Sequence, residues 1–295
     1  MKRKNKIFAT ILALSLALPI YACSKDTTLA PSLPDTEQSQ PVPPESLPPE
    51  APEVAPEGNS PSSPETSTPN ETLPEVSPPE PEKPKTQSYI RCVGDNVNLR
   101  SGAGTSYTVL GQAERGTMYA VIEHTGNWYK VRYKNKTAYL YGEYATMFSI
   151  EKSKNEKVES VIEEAYSLIG VPYVYGAVRL HDGKGNFLKG FSVNQFDCSS
   201  LVQFSFYEGA KVLLDVTTRT QVVQGKAVKR SELSRGDCIY FTNESRQYKT
   251  GIERVGHVAI YLGDNYILHT ASDYARIEKM TTARWNFYIE ARRFV

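Results

Sequence analysis

The run Phe196-Asp197-Cys198-Ser199-Ser200-Leu201-Val202-Gln203-Phe204 decides how the second half of this 295-residue chain is read. Asp197 is a residue type that accepts hydrogen bonds from the first free N–H groups of a helix. The apolar spacing of Leu201, Val202 and Phe204 continues that helix. Cys198 then falls in the first helical turn, where the dipole and the unpaired N–H groups favour thiolate over thiol. A cysteine taken alone is more often a small buried hydrophobe. That blander reading suits Cys92, and also Cys238 in the apolar run Asp237-Cys238-Ile239-Tyr240-Phe241.

Two downstream histidines set Cys198 apart. Val255 to Leu262 reads as a strand, Gly263-Asp264-Asn265 as a turn, and Tyr266-Ile267-Leu268-His269-Thr270 as the returning strand. Register decides whether the histidines meet. A two-residue loop places His257 and His269 on opposite faces. A three-residue loop pairs Leu262 with Tyr266, sets His269 opposite Ala259, and makes His257 its diagonal neighbour on the same face. The three-residue register is predicted. A Cys nucleophile, a His base and a second polar group that orients the base form a generalised triad. His257 would take the thiol proton and return it to the leaving amine, while His269 holds the imidazole in its working tautomer. The same three side chains could hold a catalytic zinc, but no CxxC or HExxH spacing supports a metal.

Upstream, Val158, Val161, Ile162, Ala165, Leu168 and Ile169 recur at helical spacing before Gly170 and Pro172, which predicts one amphipathic helix with a clear stop. Five short motifs now stand in order: Pro172-Tyr173-Val174-Tyr175-Gly176, Asp197-Cys198-Ser199, Arg235-Gly236-Asp237, Gly256-His257-Val258, and His269. As a set they resemble the NlpC/P60 family of cell-wall cysteine peptidases over roughly 155–295. The resemblance implies an α+β papain-like fold, with a helical part carrying the Cys against an antiparallel sheet carrying the histidines. It implies attack on an amide beside D-glutamate in peptidoglycan stem peptides. Carried over, Cys198 is the nucleophile, His257 the base and His269 the third member. Tyr173 matches a tyrosine whose hydroxyl serves the oxyanion. Asp197 and Ser199 match positions that hold the free amine of an N-terminal L-Ala in some members, although a helix cap and a substrate contact compete for the same carboxylate oxygens. Tyr175 stands at a groove position where Trp is common and is expected to touch substrate. Ser200 replaces a usual Gly, and the stretch Ala177 to Gln195 is longer than usual and is expected to form a loop near the groove.

Before this module lies a β-rich one, residues 87–150. Trp128-Tyr129-Lys130-Val131-Arg132-Tyr133 alternates, with Tyr129, Val131 and Tyr133 on one face. Short strands with turn punctuation predict a small all-β barrel. Val97-Asn98-Leu99-Arg100-Ser101-Gly102-Ala103-Gly104 and the residues that follow resemble the bacterial SH3-like domain, with Ala138-Tyr139-Leu140 where Gly-Trp-Val is usual. That resemblance implies a wall-binding module; a spacer with no ligand is the alternative.

The first 86 residues differ in kind. Lys2, Arg3, Lys4 and Lys6 precede an apolar run from Ile7 to Ala17, which reads as a secretory signal over 1–22. Ala22-Cys23 resembles a bacterial lipobox, which implies lipidation of Cys23 and a membrane-anchored, wall-facing lipoprotein; ordinary cleavage and secretion is the alternative. Residues 23–86 hold 3 bases and 12 acids, and 17 of the 19 prolines fall between 31 and 84. Such a segment cannot build a core and stays extended. At about 3.1 Å per residue it could reach at most about 200 Å.

The residues after 86 carry a net charge of only +6, too mild for a nucleic-acid protein. The expectation is an exported cysteine endopeptidase, monomeric and needing no cofactor. Its partners are peptidoglycan or muropeptides, and the membrane through Cys23. A wall-binding protein without activity, and an amidase or acyltransferase on a non-wall substrate, are the competing readings.

Overall fold

A computed structural model describes residues 83–295, which lie in one compact unit. The expected signal peptide, Cys23 and the expected tether up to residue 82 lie outside the described residues. No helix among the described residues is long and apolar enough to cross a membrane.

The first module has seven strands: β1 (Thr86–Cys92), β2 (Val97–Arg100), β3 (Val109–Ala113), β4 (Met118–Thr125), β5 (Trp128–Tyr133), β6 (Lys136–Tyr141) and β7 (Ala145–Glu151). They form one antiparallel sheet in the order β3-β2-β6-β5-β4-β1-β7. The alternation expected in β5 holds in its second half, where Val131 and Tyr133 are buried; Tyr129, expected on the same face, is half-buried like Trp128 and Lys130. Lys134 and Asn135 both adopt positive φ between Tyr133 and Lys136, as a two-residue hairpin that matches strand twist demands. Arg132, on the other face, pairs with Glu163 of the next module.

That module opens with α1 (Glu156–Ser167), capped by the Asn155 side chain. The helix starts two residues before the predicted stripe and ends at Ser167; Leu168 and Ile169 are buried in the turn that leads to Gly170. Next come α2 (Cys198–Ala210) and α3 (Thr218–Gln221). The sheet that follows holds β8 (Lys226–Val228), β9 (Cys238–Phe241), β10 (His257–Gly263), β11 (Tyr266–Ala271), β12 (Tyr274–Lys279) and β13 (Tyr288–Arg293), with α4 (Thr282–Asn286) before the last. Strand order is β12-β11-β10-β9-β13-β8. This is the α+β, papain-like arrangement. Residues Cys198 to Phe206 are all buried, because α2 packs between α1 and the sheet. Gly209 permits that packing: a Cβ there would lie 2.4 Å from the Val161 nitrogen on α1.

Arg235 joins the two modules. Its Nε donates to Glu159 at 2.7 Å and its Nη2 to the same carboxylate at 3.0 Å. Nη1 donates to the Tyr89 hydroxyl at 3.0 Å and the Leu262 carbonyl at 2.8 Å, and Nη2 also reaches the Tyr166 hydroxyl at 3.0 Å. All five guanidinium donors are thus used. Tyr89 comes from β1, so the bond set spans both modules. Phe148 stacks on Tyr89 at 5.1 Å and on Tyr266 at 4.9 Å, which continues the join as an aromatic column. Removing one side of a buried, hydrogen-bonded charge pair strands the other. Glu159 keeps some solvent, so Arg235→Met is expected to cost about 3 kcal/mol, the lower end of the range for such pairs. Calorimetry checks this; an unchanged melting temperature would mean the join contributes little.

Candidate active site

Cys198 is the first residue of α2. The Asp197 carboxylate accepts from the Ser200 N–H at 2.9 Å, and the Ser200 hydroxyl accepts from the Asp197 N–H at 2.9 Å. Ser200 therefore closes a capping box. The sulfur meets the backbone N–H groups of Ser199 and of Val258, one residue past His257. Cys198 is only 9% exposed. Burial, followed by the neighbouring Asp197 charge, pushes its thiol up to about 12. This corrects the thiolate expected at a helix start: desolvation outweighs the two N–H donors, and the resting group is a thiol.

The hairpin delivers both histidines to one face by a different device from the one predicted. The loop has two residues, Asp264 and Asn265, both at positive φ, and Gly263 pairs with Tyr266. A bulge between Tyr261 and Gly263 then restores the Ile260–Leu268 pairing that a three-residue loop would have given. His257 Nε2 lies 2.8 Å from His269 Nδ1. These two nitrogens face each other in a hydrogen bond, which does not suit joint ligation of a zinc ion with Cys198. Burial holds both imidazoles below their usual range; His269 pushes His257 further down, whereas Glu278 opposes the shift at His269. Both rings are accordingly neutral near pH 7.

A third strand adds residues that the sequence reading missed. His269 is 1% exposed, and its Nε2 lies 3.0 Å from Glu278 Oε2 on β12, in an oblique approach. Arg284 Nη2 of α4 reaches the same oxygen at 2.6 Å, and Arg276 Nε approaches Oε1 at 3.5 Å. The adjoining His269 ring, and then the Arg284 and Arg276 guanidiniums, hold the Glu278 carboxyl down at about 2 against its burial. The only sequence signal is the alternation of Arg276 and Glu278 along β12, and it becomes informative once His269 is known to pair with Arg276.

Cys198 and His257 line one groove of about 690 Å³ together with Tyr173, Phe241, Arg284 and Phe287. Tyr173 is placed by backbone pairing: its N–H donates to the Asp273 carbonyl at 2.8 Å and it bridges Phe196. Its phenol is pushed up to about 12, chiefly by burial and then by Cys198. Beside His257, Gly256 lets the Asn243 side chain lie close: a Cβ there would sit 2.4 Å from Asn243 Nδ2, and that side chain would have to move.

The remaining expected site residues sit elsewhere. Asp197, 5% exposed, pairs through Oδ2 with Arg179 at 2.7 Å and accepts there from the Gly176 N–H at 3.2 Å. Its Oδ1 accepts from the Ser199 hydroxyl at 3.0 Å as well as from Ser200. Ser199 in turn accepts from Arg179 at 3.0 Å. Tyr175 is 87% exposed. The long stretch 177–195 packs on α2 through Arg179 and through buried His181, whose carbonyl accepts from Gln203 at 3.1 Å. Neither that stretch, nor Asp197, Ser199 or Tyr175, contributes to the groove lining around Cys198.

Residues 170–293 match the NlpC/P60 family model and residues 95–146 that of the bacterial SH3 domain. Similar curated proteins include the peptidoglycan DL-endopeptidase CwlO of Bacillus licheniformis, 32% identical over 46% of this chain and 28% of its own length. Another is the gamma-DL-glutamyl hydrolase of Bacillus subtilis, 32% identical over 50% of this chain and 30% of its own. The chain thus spans less than a third of these relatives. Among solved structures, an NlpC/P60 family protein from Bacillus cereus is 21% identical, covering 70% of this chain and 63% of that one, with a TM-score of 0.38.

A buried thiol titrating at about 12 has a definite alkylation profile. The iodoacetamide rate at Cys198, followed by peptide mass spectrometry, is expected to climb about tenfold per pH unit from pH 7 to 10 without levelling. A plateau near neutrality would reveal a preformed thiolate–imidazolium pair instead.

Proposed function

Residues 170–293 belong to the NlpC/P60 family and residues 95–146 to the bacterial SH3 domain family, and from this we propose that the chain is a peptidoglycan hydrolase acting as a cysteine endopeptidase. The bond cut is the amide between the γ-carboxyl of D-glutamate and the following diamino acid of a stem peptide. The observation that carries this reading is the 2.8 Å bond between His257 and His269 beside the groove that holds Cys198. The names of the two curated relatives, an endopeptidase of peptidoglycan and a γ-glutamyl hydrolase, support it.

His257 presents Nδ1 as its remaining ring nitrogen, since Nε2 is held by His269. As the substrate carbonyl approaches, Cys198 Sγ attacks its carbon and His257 Nδ1 takes the thiol proton. Because the resting group is a thiol, proton transfer accompanies attack rather than preceding it. The developing oxyanion is met by the Tyr173 hydroxyl and by the Cys198 N–H, one of the free donors of α2. Collapse breaks the C–N bond, and the His257 proton goes to the leaving amine. A water then attacks the thioester carbon with His257 again as base, which releases the glutamyl carboxylate and restores the thiol.

Asp197 serves the fold in this mechanism. Arg179, Gly176, Ser199 and Ser200 occupy its oxygens, so no free carboxylate greets a substrate ammonium. Stem peptides whose L-Ala nitrogen is acylated, as in intact wall, are therefore accepted. The SH3-type module binds wall material, and the leader with Cys23 exports and anchors the protein.

The test uses purified protein and a defined set of muropeptides, with lactyl-linked and free amino termini, followed by mass spectrometry. New amino groups on the diamino acid are expected from both kinds. Cys198→Ala and His257→Ala should each lower kcat by about 10⁴-fold or more with the fold intact by circular dichroism. Cleavage that survives Cys198→Ala would refute the mechanism.

A further inference from the structure

The protonation pattern of the paired imidazoles is undetermined by their own contact, because either ring can be donor to the other. Something outside the pair must choose, and one group is placed to do so. His269 is enclosed on β11, between β10 and β12, with Nδ1 turned to His257. Its Nε2 lies 3.0 Å from Glu278 Oε2 in an oblique approach that is the one polar contact of that nitrogen among the described residues. On β12, Arg276 pairs directly with His269, and Glu278 is two residues further along on the same face.

We propose that Glu278 is a positioning residue that fixes the tautomer of both histidines, and so aims the basic nitrogen of His257 at Cys198. This inference rests on the hydrolase reading given above. A carboxylate can only accept, so the proton of His269 sits on Nε2. Its Nδ1 then carries a lone pair and accepts from His257 Nε2–H. His257 Nδ1 is left with the lone pair that receives the thiol proton. Were the order reversed, His257 Nδ1 would carry hydrogen and could not act as a base. The direction of the whole relay is therefore set from its far end.

The surroundings keep Glu278 in the accepting form. Arg284 from α4 holds Oε2 and Arg276 from β12 approaches Oε1. Arg276 is shared with Asp273. Across a cleft of about 530 Å³ the first module contributes Glu114 and Arg115, the latter paired with Asp95 at 2.9 Å, and Lys279 flanks the strand end. The carboxyl, held down at about 2, stays ionised over the whole range in which such an enzyme works.

The decisive measurement is the ring-nitrogen NMR of the purified protein, which reads tautomers without any turnover. Wild-type protein is expected to hold hydrogen on Nε2 of both His257 and His269. Glu278→Gln keeps the shape but can offer either an acceptor or a donor, so His269 should divide between tautomers. Its kcat should fall by about 100-fold at little change in KM. Loss of the negative charge disfavours imidazolium, so the low-pH limb of kcat should move to lower pH. Glu278→Asp, which keeps the charge, should restore the tautomer and the limb. Nδ1–H on His269 in the wild type would overturn the proposal even if every variant failed to fold. So would an unchanged kcat in Glu278→Gln, or a fall in kcat with tautomers and limb in place. Failure of the wild type to cut any muropeptide would instead sink the hydrolase reading, while the NMR still judged the placement of the proton.

Discussion

The burial of the first turn of α2 against β10 is the constraint on which the site depends. A helix start carries free N–H groups, and hiding it is tolerable only where they find partners. Asp197 and Ser200 supply those partners reciprocally, and Arg179 neutralises the carboxylate that results. With the Ser200 and Asp197 N–H groups partnered, Cys198 is enclosed beside Val258 and its own N–H is left for the groove. The same enclosure that places the sulfur also raises its proton affinity. Position and reactivity are thus in tension, and in the proposed mechanism the imidazole at the groove wall reconciles them by acting as a base.

Much of this was legible in the sequence because it is local. The cap at Asp197, the helix behind Cys198 and the stop at Gly170 are each specified within a few residues. Meeting of the two histidines was legible too, since period-two alternation ties them to a single register. The device that sets this register was not. Asp264 and Asn265 tolerate positive φ well enough to close a tighter turn, and a bulge absorbs the difference. Glu278 and Arg179 were out of reach for another reason. Each acts across strands or loops, and neither strand pairing nor loop packing leaves a periodic trace at such distances. Cys198's ionisation was misjudged because helix-end electrostatics can be read from position, whereas desolvation requires the third dimension.

The electrostatics of the site form a gradient rather than a cluster. Arg276 and Arg284 stand at one end, Glu278 between them and His269, and the neutral histidine pair leads to a neutral thiol. The charged groups near the site are paired, Glu278 with Arg284 and Asp197 with Arg179, while the thiol and the two imidazoles between them are neutral. Such an order limits the desolvation penalty, because only groups that already have partners are ionised.

The five-donor anchorage of Arg235 has a practical corollary for anyone dividing this protein. A cut at the boundary near residue 151 would leave the guanidinium without the Tyr89 hydroxyl and would bare the Tyr166 and Tyr266 rings that β1 and Phe148 cover. The isolated second module would carry a sticky, half-wetted scar in place of an ordinary surface. Its solubility would then report on the surgery rather than on the native module.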